Sequence, residues 1–205
     1  RYREYERRLG IGLKRIAAAR PKCDEVDGVA SLFATLFPHA RDGDRQARAA
    51  ALALLQSLLL VTGGPGTSKT TTIARVLLLL IAQAHHAGLP PPRIALAAPT
   101  GRAAERMAES LRAASVQLRG VEGIDATLCD GLPEAASTLH RLLGTIPGSP
   151  RFRHDAGNPL SFDVIVVDND SDDATVTAVK RRATLFSTLR VVRASGRLGG
   201  AFARN

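Results

Sequence analysis

The chain has 205 residues, of which 45% are hydrophobic and 23% charged, with a formal net charge of +9. That is the composition of one globular unit, or one and a fraction, with enough chain to bury a core, and it excludes wholesale disorder. No unbroken apolar run, Val76 to Ala82 included, approaches a bilayer span, and no secretory signal is visible behind the N-terminal RYREYERR, so no membrane partner is expected. Cys23 and Cys129 stand far apart without CxxC spacing, which argues against a disulfide framework or a zinc site and for a reducing, cytoplasmic setting. The basic balance favours a polyanionic partner, nucleic acid first.

In chain order, residues 1–20 read as a helix with Tyr5, Leu9, Leu13 and Ile16 on one stripe, ended by Pro21. A second short amphipathic helix is expected over 24–37, built on Val26, Leu32, Phe33, Leu36 and Phe37, before the loop at 41–44. Asp44 can cap a helix running to about Gln56. SLLLVT at 57–62 reads as a buried strand that ends in a Gly-rich turn. A long apolar helix then runs from Lys69 to about His86, stopped by Gly88 and the prolines at 90–92. RIALAAPT at 93–100 is a second strand, 101–115 a further helix, and FDVIVVD at 162–168 a third buried strand. Strand, helix, strand, helix, strand is the α/β pattern of a parallel sheet covered on both faces. Residues 116–161 are Gly/Pro-rich with one helical patch at STLHRLLG, 137–144, where His140 is expected to pack rather than to react. The segment 171–205 is polar and Arg-rich, with LRVV at 189–192 as a weak strand.

VTGGPGTSKTTT at 61–72 carries the strongest signal. A loop between a buried strand and a helix N-terminus aims several backbone N–H groups at one point, and the helix dipole adds to them, so the turn suits an anion. Gly63, Gly64, Pro65, Gly66, Thr67 and Ser68 form that loop, and Lys69, Thr70 and Thr71 open the helix. These nine residues are the candidate nucleotide-binding set. Lys69 supplies a point charge for the β- and γ-phosphates, and the Thr70 hydroxyl can ligate Mg²⁺. Ser68 departs from the G-x-x-x-x-G-K-[ST] pattern at a position that often needs positive φ, at a cost of about 1 kcal/mol for a non-Gly residue. Weakened nucleotide affinity is the expected consequence, and Ser68→Gly the substitution expected to relieve it.

Asp168 closes the third apolar run, where a phosphate-loop site keeps the acidic residue of its metal shell. Thr70 and Asp168 are therefore the candidate metal residues, and Lys69 and Asp168 the candidate catalytic ones. The neighbour of Asp168 is Asn169, which can orient water but cannot take its proton. Losing a general base costs ~10²–10⁴ in rate.

Together these segments resemble the RecD family, the alpha subunits of exodeoxyribonuclease V, which are superfamily 1 DNA helicases. The resemblance runs from Arg1 to about Asp168. It rests on RYREYERRL, DRQARAAALAL, VTGGPGTSKTTT, APTGRAAERMAESL, STLHRLLG and RFRHDAGNPLSFDVIVVD in that order. It implies an α/β fold: an incomplete P-loop, RecA-like parallel sheet with flanking helices, preceded by a small helical segment. It further implies that Gln46 reads the adenine edge, that Lys69, Thr70 and Asp168 handle ATP and Mg²⁺, and that Thr100, Gly101 and Arg102 touch the backbone of single-stranded DNA. STLHRLLG would couple the DNA and nucleotide sites, and the beta and gamma subunits of an exodeoxyribonuclease V complex would be partners.

Three positions depart from the family: it has Gly at Ser68, Lys at Arg102 and Glu at Asn169. After Asp168 the match stops within a motif. The expected organisation is a helical segment over 1–40, a P-loop lobe over 41–170, and an atypical tail over 171–205, disordered or out of frame. The expected function is the ATP-binding lobe of a 5′→3′ DNA helicase of double-strand break repair and recombination, in a truncated and impaired copy. The alternative is a nucleotide- or DNA-binding fragment without ATP turnover. A small P-loop kinase is disfavoured, because no lid-like Arg cluster is evident.

Overall fold

The computed structural model describes residues 2–19, 21, 26–40, 44–62, 69–168 and 192–193. Its helices are α1 (Tyr2–Ala18), α2 (Ala30–Leu36), α3 (Arg45–Leu55), α4 (Lys69–His86), α5 (Gly101–Arg119) and α6 (Leu139–Leu143). Its strands are β1 (Val61–Thr62), β2 (Ile94–Ala98), β3 (Ser137–Thr138), β4 (Val164–Val167) and β5 (Val192–Arg193). Short 3₁₀ turns at Asp27–Val29 and Ala126–Gly131 join them.

The central sheet is parallel, with β2 between β3 and β4. Its register is fixed at both ends of the β2–β4 pair. At the amino end, the Arg93 backbone N–H and Nε–H both donate to Asp163 Oδ2, at 3.0 and 3.1 Å. The N–H groups of Asp163 and Val164 donate back to the Arg93 carbonyl. At the carboxyl end, the Asp168 N–H donates to the Ala97 carbonyl at 2.9 Å. Because side chains alternate along a strand, Ile94 and Leu96 share a face with Val164 and Val166, and these four pack into the main core with α4 and α5.

The second face differs from expectation. FDVIVVD reads as buried on both sides, yet Ile165 and Val167 are 42% and 50% exposed. The reason lies in the layering. The leucines of α4 and α5 belong to the same core, on the Leu96 face, so both long helices cover one side of the sheet. β2 keeps its other side covered because Ala95 and Ala97 are small and lie between neighbouring strands.

Several boundaries also move. The strand expected over 57–62 is reduced to Val61–Thr62. It pairs in parallel with β5 rather than with the central sheet, so the residues before it have no ladder to join. Ser57 instead donates its hydroxyl to the Ala19 carbonyl at 2.9 Å. The helix expected over 24–37 is a 3₁₀ turn followed by seven α-helical residues. α5 runs four residues further than expected, to Arg119, because Leu118 is still buried; Gly120 ends it. Within 116–161, β3 and an isolated antiparallel bridge between Thr145 and Phe152 were not expected. α6 ends on Gly144 at φ 72°, a left-handed cap that favours glycine, and a Cβ there would lie 3.0 Å from Arg153 Cβ. His140 is exposed, not packed inside; its ring meets Phe152 edge-on at 5.9 Å. Of the weak strand expected at 189–192, residues 189–191 lie outside the described residues, and Val192 opens β5.

The core gathers on α4. Leu77, Leu78 and Leu79 are buried in succession, so the helix is covered around most of its circumference. Val29, Leu36, Phe37, Ala50, Leu54, Leu96, Leu111 and Leu118 belong to the same core. Each fully buried leucine contributes about 1.5–3 kcal/mol relative to exposure. The outcome is a helix packed between α3 and α5.

Candidate nucleotide and phosphate site

Parallel strands put all their carboxyl ends on one edge, which is where open α/β sheets bind ligands. Three chain segments converge there. Thr138, in register with Ala98, caps α6, its Oγ1 accepting from the Arg141 N–H at 3.2 Å. Thr100, two residues after Ala98, caps α5, its Oγ1 accepting from the Ala103 N–H at 3.2 Å. Asp168 follows β4 immediately, held by the backbone bond to Ala97. The caps explain why both helices begin where they do: a threonine oxygen satisfies a backbone donor that the first turn leaves without a partner.

Between the start of α5 and Asp168 lies a cleft of about 80 Å³ lined by Thr100, Arg102, Ala103, Arg106 and Asp168. It joins two sets that the sequence treats separately, the DNA-contacting Thr100 and Arg102 and the metal-binding Asp168. Gly101 opens α5 in open space; nothing lies within 4 Å of where its Cβ would be. Arg106 is the residue that the sequence reading missed. The available signal was its i, i+4 spacing from Arg102, which puts both guanidinium groups on one helix face.

Lys69, Thr70 and Thr71 are half-buried in the first turn of α4. The expectations for Gly63, Gly64, Pro65, Gly66, Thr67 and Ser68, and for Asn169, lie outside the described residues. Gln46 is the second residue of α3, half-buried. Its backbone N–H donates to Asp44 Oδ1 at 2.9 Å, and the Ala47 N–H donates to the same oxygen at 3.2 Å, so Asp44 caps α3 as expected. α3 packs on α4, which places the Gln46 helix beside the Lys69 helix.

Other titratable groups serve structure. Burial pushes the Cys129 thiol pKa up, which leaves a packed, unreactive side chain. Hydrogen bonds from Thr127 lower the Asp125 carboxyl and hold the 3₁₀ turn. His85 and His86 meet edge-on at 6.1 Å, and among the described residues no group of three His, Cys, Asp or Glu side chains is placed to hold a metal. No described helix is long and apolar enough to cross a membrane.

This arrangement, a parallel sheet with a Lys-Thr helix start and an acidic strand end, is that of a P-loop type domain, incomplete in its strands among the described residues. The family described as AAA domain matches residues 46–192, and the chain belongs to it. Among curated relatives, the RecBCD enzyme subunit RecD of Mycobacterium tuberculosis is 47% identical over 171 residues, which is 83% of this chain and 27% of that protein. The RecBCD enzyme subunit RecD of Mycolicibacterium smegmatis is 47% identical over 157 residues, 76% of this chain and 26% of that protein. The ATP-dependent RecD2 DNA helicase of Deinococcus radiodurans is 33% identical over 168 residues, 81% of this chain and 19% of that protein. The chain is thus RecD-like, and spans about a quarter or less of the length of these relatives.

Proposed function

We propose that the chain is the ATP-binding motor lobe of a RecD-like helicase, moving 5′→3′ on single-stranded DNA in double-strand break repair and recombination, as a copy impaired in turnover. In this reading residues 1–40 are a helical segment, 41–170 the P-loop lobe and 171–205 a tail. The beta and gamma subunits of an exodeoxyribonuclease V complex are its partners. The observation that carries the reading is the 47% identity over 171 residues. A match of that length within 205 residues takes in Lys69 through Asp168 wherever it begins.

The donor set fits a magnesium nucleotide chemically. The Thr70 hydroxyl and the Asp168 carboxylate are hard oxygen donors, which Mg²⁺ prefers, and Lys69 opens a helix whose N-terminus favours phosphate. Bound Mg²⁺ would neutralise charge on the β- and γ-phosphates. Lys69 would hold the phosphates, Gly63 to Ser68 and Thr71 would surround them, and Gln46 would read the adenine edge. Thr100, Gly101 and Arg102 would take the DNA backbone at the neighbouring helix start.

The second reading is a module that binds nucleotide or DNA without turnover. Asn169 favours it, because an amide cannot accept the proton of an attacking water. ATP hydrolysis with and without oligo(dT), beside calorimetric binding of a non-hydrolysable ATP analogue, separates the two. DNA-stimulated phosphate release supports the motor, and binding alone supports the module. Lys69→Ala is expected to weaken analogue binding at least about tenfold, the equivalent of about 1.4 kcal/mol. Equal binding by Lys69→Ala and the parent chain would remove the basis of both readings.

A further inference from the structure

Arg106 sits four residues after Arg102 on α5, one turn further along the same face, and both line the cleft beside Asp168. Both side chains are exposed, and among the described residues neither makes an ion pair, although Glu105 and Glu109 are exposed on the same helix. Arg106 adds a second positive charge to the cleft that Arg102 lines, and the N-terminus of α5 adds its partial charge. Nothing crowds Gly101 above it.

We propose that Arg106 is a second phosphate-binding residue, which holds a backbone phosphate of single-stranded DNA together with Arg102 in the cleft next to Asp168. The inference rests on the DNA reading of Thr100, Gly101 and Arg102 and extends it by one helical turn. Arg106 supplies a second guanidinium group to draw a phosphate into the cleft. Arg102, Thr100 and the free N–H groups of the first turn of α5 fix the phosphate's position.

The test uses the full chain and a fluorescein-labelled oligo(dT), with binding followed by anisotropy over roughly 50 to 200 mM salt. Arg106→Gln is expected to lower the slope of log K against log salt by about 0.7, the loss of one phosphate contact on a single strand. It should weaken binding several-fold at the lowest salt, whereas Arg106→Lys should keep the slope. Binding of a fluorescent ATP analogue should be unchanged in Arg106→Gln. Unchanged slope and affinity for Arg106→Gln, beside weakened binding by Arg102→Gln, overturn the role of Arg106 and leave the DNA reading intact. Lost nucleotide binding with intact oligo(dT) binding also overturns it, because the cleft would then serve the nucleotide's phosphates. Absence of oligo(dT) binding by the parent chain defeats both this inference and the DNA reading beneath it.

Discussion

α4 and α5 are built from the same grammar and end with different duties. Both follow a strand, and they pack against each other in one core. α4 buries Thr72, Ala74, Leu77, Leu78, Leu79, Ile81, Ala82, Gln83 and Ala84, a set spread around the helix. α5 buries Ala103, Ala104, Met107, Ala108, Leu111, Ala114 and Leu118, a single stripe, and turns Arg102, Glu105, Arg106, Glu109 and Arg112 to solvent. A helix covered on most sides can reach a ligand only through its first turn. A helix covered on one side can use a whole face. Chemistry at α4 is therefore confined to Lys69 and its neighbours, while α5 can extend its contacts from Thr100 to Arg106.

The largest expected effect tests the burial side of that contrast. Leu78→Ala in α4 should cost about 2–5 kcal/mol, because the removed methyl groups leave a cavity that rigid surroundings cannot close. Val116→Ala on α5, at a site 71% exposed, should change stability by less than about 0.5 kcal/mol. Urea unfolding followed by circular dichroism reads both. Similar losses at the two positions would mean that α4 is not the covered element in solution.

A smaller effect sharpens the functional side. Thr100→Ala removes the cap of α5 and Asp44→Ala the cap of α3, and each should cost about 1 kcal/mol. Only Thr100→Ala should also weaken oligo(dT) binding, since Thr100 lines the cleft. If both variants lose DNA binding alike, the loss tracks stability and the cleft has no special part in it.

How much of this was legible beforehand follows from the same physics. The long helices were readable because their signals are local: Asp44 and Thr100 are caps, Gly88 and the prolines at 90–92 are stops, and Leu77 to Leu80 is an apolar run. The start of α4 at Lys69 and its end at His86 agree with the sequence expectation. β3 was not readable, since Ser137–Thr138 is a strand only by virtue of its pairing with β2. The bare side of β4 was misread for a related reason. VIVV looks the same whether one face or two are covered, and the layering of distant helices decides which. The candidate site was legible as residue types, Lys69 with Thr70 and Asp168. That Asp168 shares one cleft with Thr100 and Arg102 was not, because it depends on the parallel register of β2 with β4. Nothing in the sequence singled out Arg106; the cleft gives it its neighbours.

α1 extends the contrast to a helix with less cover than α5. Its expected apolar stripe does not close over a core: Leu9 and Ile16 are 62% and 45% exposed. What holds its first turns is surface charge. Arg7 donates from Nε and Nη2 to the Glu4 carboxylate, each at 2.9 Å, and Arg8 donates from Nε at 2.8 Å. The bonds from Arg7 first, then from Arg8, pull the Glu4 carboxyl from 4.5 down to about 2. A carboxyl lowered on folding stabilises the helix fully above pH 4.5, and that support is lost as pH falls toward about 2. The effect is small, because exposed pairs are screened. Far-UV circular dichroism on acidification should show the parent chain losing more helical signal than Glu4→Gln across that window. The difference should shrink in about 1 M salt, where the Debye length falls to roughly 3 Å. Identical curves for the two chains at low salt would show that α1 is held by something other than this pair of arginines.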